Sequence, residues 1–391
     1  MNKTIEKGKK YIIHCHHSSN PISGEMKRII NINNDVVGHL SDDIIELQLY
    51  SIRDYKSVKS KWQFLLSSSV SRKYYVPNIP SLYFLNDIYR LLVMLILFIK
   101  YRPLYYVEEW SLPKGVGLLK TIFPFCKIGL DIHGAAPEEY SFLNKKESVI
   151  LSRQEKYSVI SADFIICQSD EMRRHLKRKY NSSLNIGVYR CGVDCDHFSY
   201  NLDQRNVIRT SLGYSKDNIV FVYSGGMHVW QKVEDSVKLF SDFHSSFPNA
   251  RLLILTKEIE RFQNILHKIG YNGMMSAITI KSLGFADVPK YLNAADVAFL
   301  LRDVHVMNSV ASPTKLSEYM SCGLPVISTS VSERWVDAEG MKFIYKFEQY
   351  TKNSLFDFIN NCSKVDISKY ANEKLSLNID RENIQEFLMK L

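Results

Sequence analysis

Residues 312–328 read SPTKLSEYMSCGLPVIS. Ser312 is a favoured N-cap residue and Pro313 suits a first helical position, so a helix is predicted to start here. Gly323 and Pro325 are its predicted stop. Thr314 and Lys315 then occupy the first turn, where unpaired backbone N–H groups already make the helix end positive. A lysine at that place costs roughly a few tenths of a kcal/mol, and becomes favourable once a phosphate sits there. Glu318 follows Thr314 by one turn, on the same face and roughly 6 Å further along. A diphosphate and the hydroxyls of its ribose are separated by a similar distance, and a carboxylate accepts hydrogen bonds from two vicinal hydroxyls. The segment therefore reads either as a nucleoside diphosphate site or as a plain amphipathic helix with exposed Lys and Glu.

Working outward, short β-rich runs alternate with helical patterns. The first half offers YIIHC (11–15), IIELQLY (44–50), LYYVE (104–108), KIGLDIH (127–133), DFIICQ (163–168) and NIGVY (185–189). The second offers NIVFVYS (218–224), RLLILT (251–256), AITIK (277–281), DVAFL (296–300) and LPVIS (324–328). Such alternation predicts parallel sheets covered by helices, in two sets. The expected fold class is α/β, with two doubly wound Rossmann-like domains facing across a cleft. The first spans 1–200 and the second 201–375, with a polar linker around 197–206. The segment 376–391 is expected to be a helix that packs back on the first domain, with Ile384, Phe387, Leu388 and Leu391 on one face. Doubly wound sheets bind ligands beyond the carboxyl ends of their strands. No G-x-G-x-x-G follows the first strand of either half, which argues against a dinucleotide oxidoreductase.

The composition of the 391 residues, 46% hydrophobic and 23% charged, is that of a folded globular chain. The net charge of +9 is uneven. Residues 1–200 hold 28 Lys and Arg against 20 Asp and Glu, an excess of +8, whereas 201–391 hold 22 against 21, an excess of +1. KSVKSK (56–61), RK (72–73) and RRHLKRK (173–179) contribute to the basic half. They read as solvated faces or as a surface for an anionic membrane or nucleic acid. The apolar run LLVMLILFI (91–99) is far shorter than the roughly 20 residues that span a bilayer, and is expected to be a buried helix packed on a sheet, with a shallow membrane contact as the alternative. The seven cysteines contain no CxxC pair and are read as free thiols. HCHH (14–17) is expected to scatter over a strand end, and no metal or other cofactor is expected. The charged start without a signal-peptide pattern is read as cytoplasmic.

The longer stretch LLRDVHVMNSVASPTKLSEYMSCGLPVIS (300–328) resembles the donor-site signature of retaining glycosyltransferases of the GT-B fold, in particular glycosyltransferase family 4. VYSGGMHVWQK (222–232) resembles the strand and glycine turn that open that family's second domain. KSLGFADVPKYLNAADVAFL (281–300) resembles its base-binding loop, YRCGVDCDHF (189–198) the passage closing its first domain, and DIHG (131–134) its cleft histidine. The resemblance implies a nucleotide-sugar donor, a glycan or lipid-linked acceptor, retention at the anomeric carbon, and a role in bacterial surface polysaccharide synthesis near an anionic membrane. It implies catalytic roles for His133, Lys232, Lys315 and Glu318. The donor would lie against Gly225, Gly226, Gln231, Lys232, Thr256, Phe285, Ala286, Ser312, Pro313, Thr314, Lys315, Leu316 and Glu318. Gly24, Glu109, His133 and Arg302 would face the acceptor or the transferred sugar.

Three departures stand out. Many members carry an acid eight positions before the second glutamate, where this chain has Val310, with Asp303 and His305 nearby in sequence. The first-strand loop PISGEMKR (21–28) offers Gly24 in place of a glycine pair. Lys232 has no obvious neighbouring arginine. Two other classes compete: a GT-B-like sugar-nucleotide epimerase, which needs carboxylates for proton transfer at the sugar, and a non-catalytic membrane or nucleic-acid binding protein using the basic half alone. The latter leaves the phosphate-site pattern at 312–325 unexplained, and no aromatic-interleaved basic motif accompanies it.

Overall fold

The computed structural model describes residues 11–17, 31–40, 43–51, 70–78, 83–108, 113–180, 183–270 and 272–391. Its strands are β1 (Tyr11–His17), β2 (Asp43–Ser51), β3 (Val70–Asn78), β4 (Leu104–Glu108), β5 (Lys127–Ile132), β6 (Phe164–Cys167) and β7 (Ile186–Val188) in the first half. The second half has β8 (Ile219–Ser224), β9 (Ala250–Leu255), β10 (Ile278–Lys281), β11 (Val297–Leu300), β12 (Val326–Ser328) and β13 (Ile344–Lys346). The inner strands carry near-continuous apolar runs because helices cover both faces of a parallel sheet. All residues of VAFL in β11 are buried, as are the four at the centre of β8.

One sheet has the order β3-β2-β1-β4-β5-β6-β7 and the other β10-β9-β8-β11-β12-β13. Each order reverses once, between β1 and β4 and between β8 and β11. Open α/β sheets hold ligands beyond the carboxyl ends of the strands at such a reversal. Two strands of the structure, β3 and β13, have no counterpart among the sequence-predicted runs. Both lie at sheet edges, and neither carries a long apolar run: β3 reads VSRKYYVPN and β13 only IYK.

The chain divides into two compact units, residues up to Arg190 with Asp380–Leu391, and Cys191–Ile379. The division thus precedes the expected linker at 197–206. The polar-looking passage after Arg190 belongs to the second unit's core: Val193 and Phe198 are buried with Leu316 and Tyr319, and the Val193 N–H donates to the Leu375 carbonyl at 3.0 Å. The last helix, Leu377–Met389, supplies Ile384 and Leu388 to the first unit's core beside Ile12, Ile32 and Val36. Arg190 pairs with Asp380 at 2.8 Å, and Arg381 donates to Asp35 at 2.9 Å. Leu391, expected on the packed face, is exposed.

Gly24, Glu109 and the segments 21–28 and 56–61 lie outside the described residues. Arg72 and Lys73 fall within β3. The run at 91–99 belongs to a helix, Tyr83–Tyr101, that is buried on one side only: Met94, Leu97 and Phe98 are enclosed while Leu92, Ile96 and Ile99 are exposed. Among the described residues no helix is long and apolar enough to cross a membrane.

Candidate functional site

In the second unit the helix starts one residue later than the sequence predicts. It runs Thr314–Ser321, with Pro313 in the cap position at φ −74° and ψ 107° and no capping side chain. Ser312 is drawn off elsewhere: its hydroxyl accepts from the Cys191 N–H at 3.1 Å. The Leu316 N–H donates to the Pro313 carbonyl at 2.9 Å, and no side chain caps the Thr314 and Lys315 N–H groups. The helix stops at Gly323, whose φ of +73° is the left-handed conformation glycine tolerates.

Lys315 reaches back from this first turn beneath the loop after β8. Gly225 there has φ +136°, and a Cβ on it would lie 1.7 Å from the Lys315 Nζ. Only a glycine leaves room for that ammonium, which also stands 5.5 Å from the centre of the Tyr223 ring. Burial, with the positive Arg302 close by, pulls the Lys315 pKa down to about 7 against the opposing pull of Glu318 and Glu258. Arg302, just past β11 and 9% exposed, donates to the Leu301 carbonyl at 3.0 Å. Two cations therefore converge at the carboxyl ends of β8 and β11, the reversal point of this sheet. A low-dielectric pocket that disfavours the charge on one of them becomes favourable when an anion enters.

The surrounding residues hold this turn in shape. Glu258 accepts from the Met227 N–H at 3.0 Å, and its carboxylate would meet a Cβ placed on Gly226 at 2.8 Å. The Tyr223 hydroxyl lies against the Gly226 carbonyl and the Gln231 amide oxygen. Tyr319, fully buried, accepts from the Ser224 N–H at 2.9 Å. Thr256 is buried and its hydroxyl accepts from the Glu258 N–H at 3.1 Å. Gln231 is buried, and the Leu316 side chain is part of the core, so only its backbone belongs to the helix end. Glu318 is half-buried one turn along.

Lys232 is at φ +47° and its ammonium is 2.7 Å from Asp235 and 3.6 Å from Asp303. The hydrogen bond to Asp235 holds its pKa above the usual lysine range. Asp303 thus faces Lys232, and His305 accepts the Met307 N–H at 3.3 Å as the cap of a short helix. Val310 is buried. Phe285 is 44% exposed beside the exposed Ala286, with its ring 4.7 Å from that of His197.

The first unit carries its own polar cluster at the reversal between β1 and β4. His133, directly after β5, places Nε2 at 2.6 Å from Asp131 Oδ2 and 3.0 Å from Glu108 Oε2. Glu108 also meets His14 Nε2 at 2.7 Å through its other oxygen. Glu108 and Asp131 are register partners on β4 and β5, which brings both carboxylates to one end of the sheet. Burial works against a charge on His133, but Asp131 and Glu108 outweigh it and hold the imidazole pKa well above its usual range. Burial likewise opposes the Glu108 charge, and His133 with His14 outweighs it, holding that carboxyl below its usual range. Glu108, Asp131 and His133 offer ligand atoms within 4.8 Å of one another, a spacing that suits a metal ion. His133 Nε2 lies between the two carboxylates.

Sequence reasoning missed His14, Glu108, Asp131, Glu258, Tyr223 and Tyr319. His14 was hidden in HCHH, Glu258 sits in the loop before the helix Ile259–Lys268, and the others sit in apolar strands or a core helix, where only strand register or helix packing shows what they support.

Residues 218–355 match the family model described as Glycosyl transferases group 1. TuaH from Bacillus subtilis (strain 168), named as a glycosyltransferase of teichuronic acid biosynthesis, is 22% identical over 265 residues, covering 66% of this chain. The alignment spans 62% of that curated relative. Among solved structures, sucrose-phosphate synthase from Thermosynechococcus elongatus aligns with a TM-score of 0.71 at 14% identity, covering 98% of this chain and 99% of that one. HepE from Anabaena in complex with UDP aligns at 0.68 with 15% identity over 98% and 100% of the two chains. Its complex with UDP-glucose aligns at 0.66 with 15% identity over 97% and 100%. The chain has the GT-B fold.

Proposed function

We propose that this chain is a retaining glycosyltransferase of the hexosyl type, moving a sugar from a nucleotide-sugar donor to a glycan or lipid-linked acceptor in cell-surface polysaccharide synthesis. It works without a metal or other cofactor, in the cytoplasm and at the inner face of an anionic membrane. The observation that carries this reading is the convergence of Lys315 and Arg302 beneath the Gly225 turn, at the start of a helix without a side-chain cap. These basic groups lie inside the region matching the Glycosyl transferases group 1 model. The UDP and UDP-glucose held by HepE and the name of TuaH lend support to the donor class and the pathway.

In this reading the diphosphate restores the Lys315 charge, and Lys315, Arg302 and the helix N–H groups stabilise the charge that grows on it as the sugar departs. Glu318 takes the ribose hydroxyls, and Phe285 and Ala286 line the base. The imidazolium of His133, oriented by Asp131 and Glu108, donates to the transferred sugar. The departing phosphate oxygen accepts the acceptor proton on the same face, so configuration is retained.

Incubation with a panel of nucleotide sugars tests the proposal. Release of nucleoside diphosphate, with a product whose anomeric configuration by NMR matches the donor, is expected. An inverted product or an untouched panel overturns it. A second reading, the epimerase, draws on the paired carboxylates Glu108 and Asp131 and predicts an isomerised nucleotide sugar instead.

A further inference from the structure

The helix Tyr83–Tyr101 has two apolar faces, one of which is exposed among the described residues. Ile88, Leu92, Ile96 and Ile99 recur three or four residues apart on its outer side, Ile96 at 63% and Ile99 at 68% exposed. The next helix, Pro113–Ile122, exposes Leu118 and Ile122, and Phe125 just beyond is 65% exposed. The helix Ser148–Ser161 adds Val149, Ile150 and Ile160. The three are neighbours within the first unit. Phe98 packs on Phe123 and Phe125 at ring distances of 4.9 and 5.6 Å, and Gly117 abuts the Tyr157 ring. Exposed apolar side chains clustered over adjacent helices mark an interaction surface.

Charge identifies the partner. Over residues 83–108, 113–127 and 147–163 there are eight Lys and Arg against five acids, of which Glu108 and Glu155 are buried and Asp163 pairs with Lys120 and Lys127. Lys100, Arg102, Lys127, Arg153 and Lys156 are exposed over the same stretches. Lys100 and Arg102 also rim a cavity of about 840 Å³, lined by Phe98, Ile99, Phe125 and Leu391. Apolar side chains on a surface where cations outnumber acids, with Lys100 and Arg102 directly after Ile96 and Ile99, suit anionic headgroups over acyl chains. A second copy of the chain would bring like charges together.

We propose that this outer face of the first unit docks on an anionic lipid bilayer, inserting Ile96, Ile99 and Phe125 with Lys100 and Arg102 at the headgroups. The proposal deepens the membrane part of the proposed function and does not depend on the donor site. Flotation of the full chain with phosphatidylcholine vesicles, with and without phosphatidylglycerol, tests it. The protein should float with the anionic vesicles, and the Ile96→Asp/Ile99→Asp and Lys100→Gln/Arg102→Gln pairs should each lower the bound fraction about ten-fold or more. Donor hydrolysis should be unchanged in both pairs, which shows that they fold. Equal flotation of the Asp pair, or none by the natural sequence, overturns the proposal. So does a dimer in solution that the Asp pair splits without any vesicle binding. Flotation without donor consumption leaves the docking surface standing and removes the transferase reading, and the converse result does the reverse.

Discussion

Lys315 makes proton uptake a signature of donor binding. Burial next to Arg302 holds its free pKa at about 7, so at pH 8 roughly nine in ten molecules carry the neutral amine. A diphosphate brought against the same nitrogen favours the charged form and lifts that pKa towards the ordinary lysine range. Binding at pH 8 should then take up about one proton per nucleotide sugar, and affinity should fall nearly ten-fold per pH unit above 7 until the pKa of the bound state is reached. The diphosphate of a nucleotide sugar has no proton to lose in this range, so the uptake reports on the protein. Calorimetry at pH 8 in buffers of different ionisation enthalpy measures it. Lys315→Gln should abolish the uptake and weaken binding by about 1.5–3 kcal/mol, the worth of a hydrogen bond to a charged group. No uptake in the natural sequence, or the same uptake in Lys315→Gln, refutes the reasoning.

Glu318→Ala should weaken nucleotide binding roughly ten-fold or more while the unfolding midpoint stays close to that of the natural sequence; unchanged affinity in both it and Lys315→Ala would remove the ribose and diphosphate assignments. His133→Ala should still bind free nucleoside diphosphate while transfer falls sharply, and normal transfer would leave His133 a structural residue. Because the folded His133 pKa is raised, its stabilising contribution is full below the unfolded value of about 6.5 and is lost as pH rises through the folded one. Urea midpoints between neutral and alkaline pH should therefore fall further in the natural sequence than in His133→Ala, and parallel curves would contradict the ion cluster. Gly225→Ala, at φ +136° and against the Lys315 Nζ, should cost about 1–3 kcal/mol of stability and most of the nucleotide affinity, read by thermal unfolding and calorimetry.

The inner strands were legible because two-sided burial writes itself as a continuous apolar run; β3 was not, because an edge strand can carry Arg72, Lys73 and Pro77, and β13 was not, because it is only IYK. The helix at 314–321 was legible from its Pro and Gly boundaries, but its first residue was not. Ser312 is a good cap by type, and only the structure shows its hydroxyl engaged by the Cys191 N–H. Arg302, expected to face the acceptor or sugar, stands close to Lys315, and strand order rather than sequence spacing brings it there. His133 was legible as a strand-end residue before a glycine. Asp131 stands two residues before it in DIHG, but His14 and Glu108 come from strands far apart in sequence, brought to it only through the order β1-β4-β5. The exposed side of helix 83–101 was hidden for the opposite reason, because apolar residues on both faces look like full burial.

The central claim, that the Gly225 turn and the helix at 314–321 hold the donor diphosphate, is tested most directly by a crystal structure of the chain with the nucleotide sugar that the turnover panel selects. The account predicts the diphosphate in contact with the Lys315 Nζ, Arg302 and the N–H groups of Thr314 and Lys315, with the ribose hydroxyls on Glu318. A nucleotide bound elsewhere on the chain, with Lys315 still packed under Gly225 and no phosphate beside it, would contradict it.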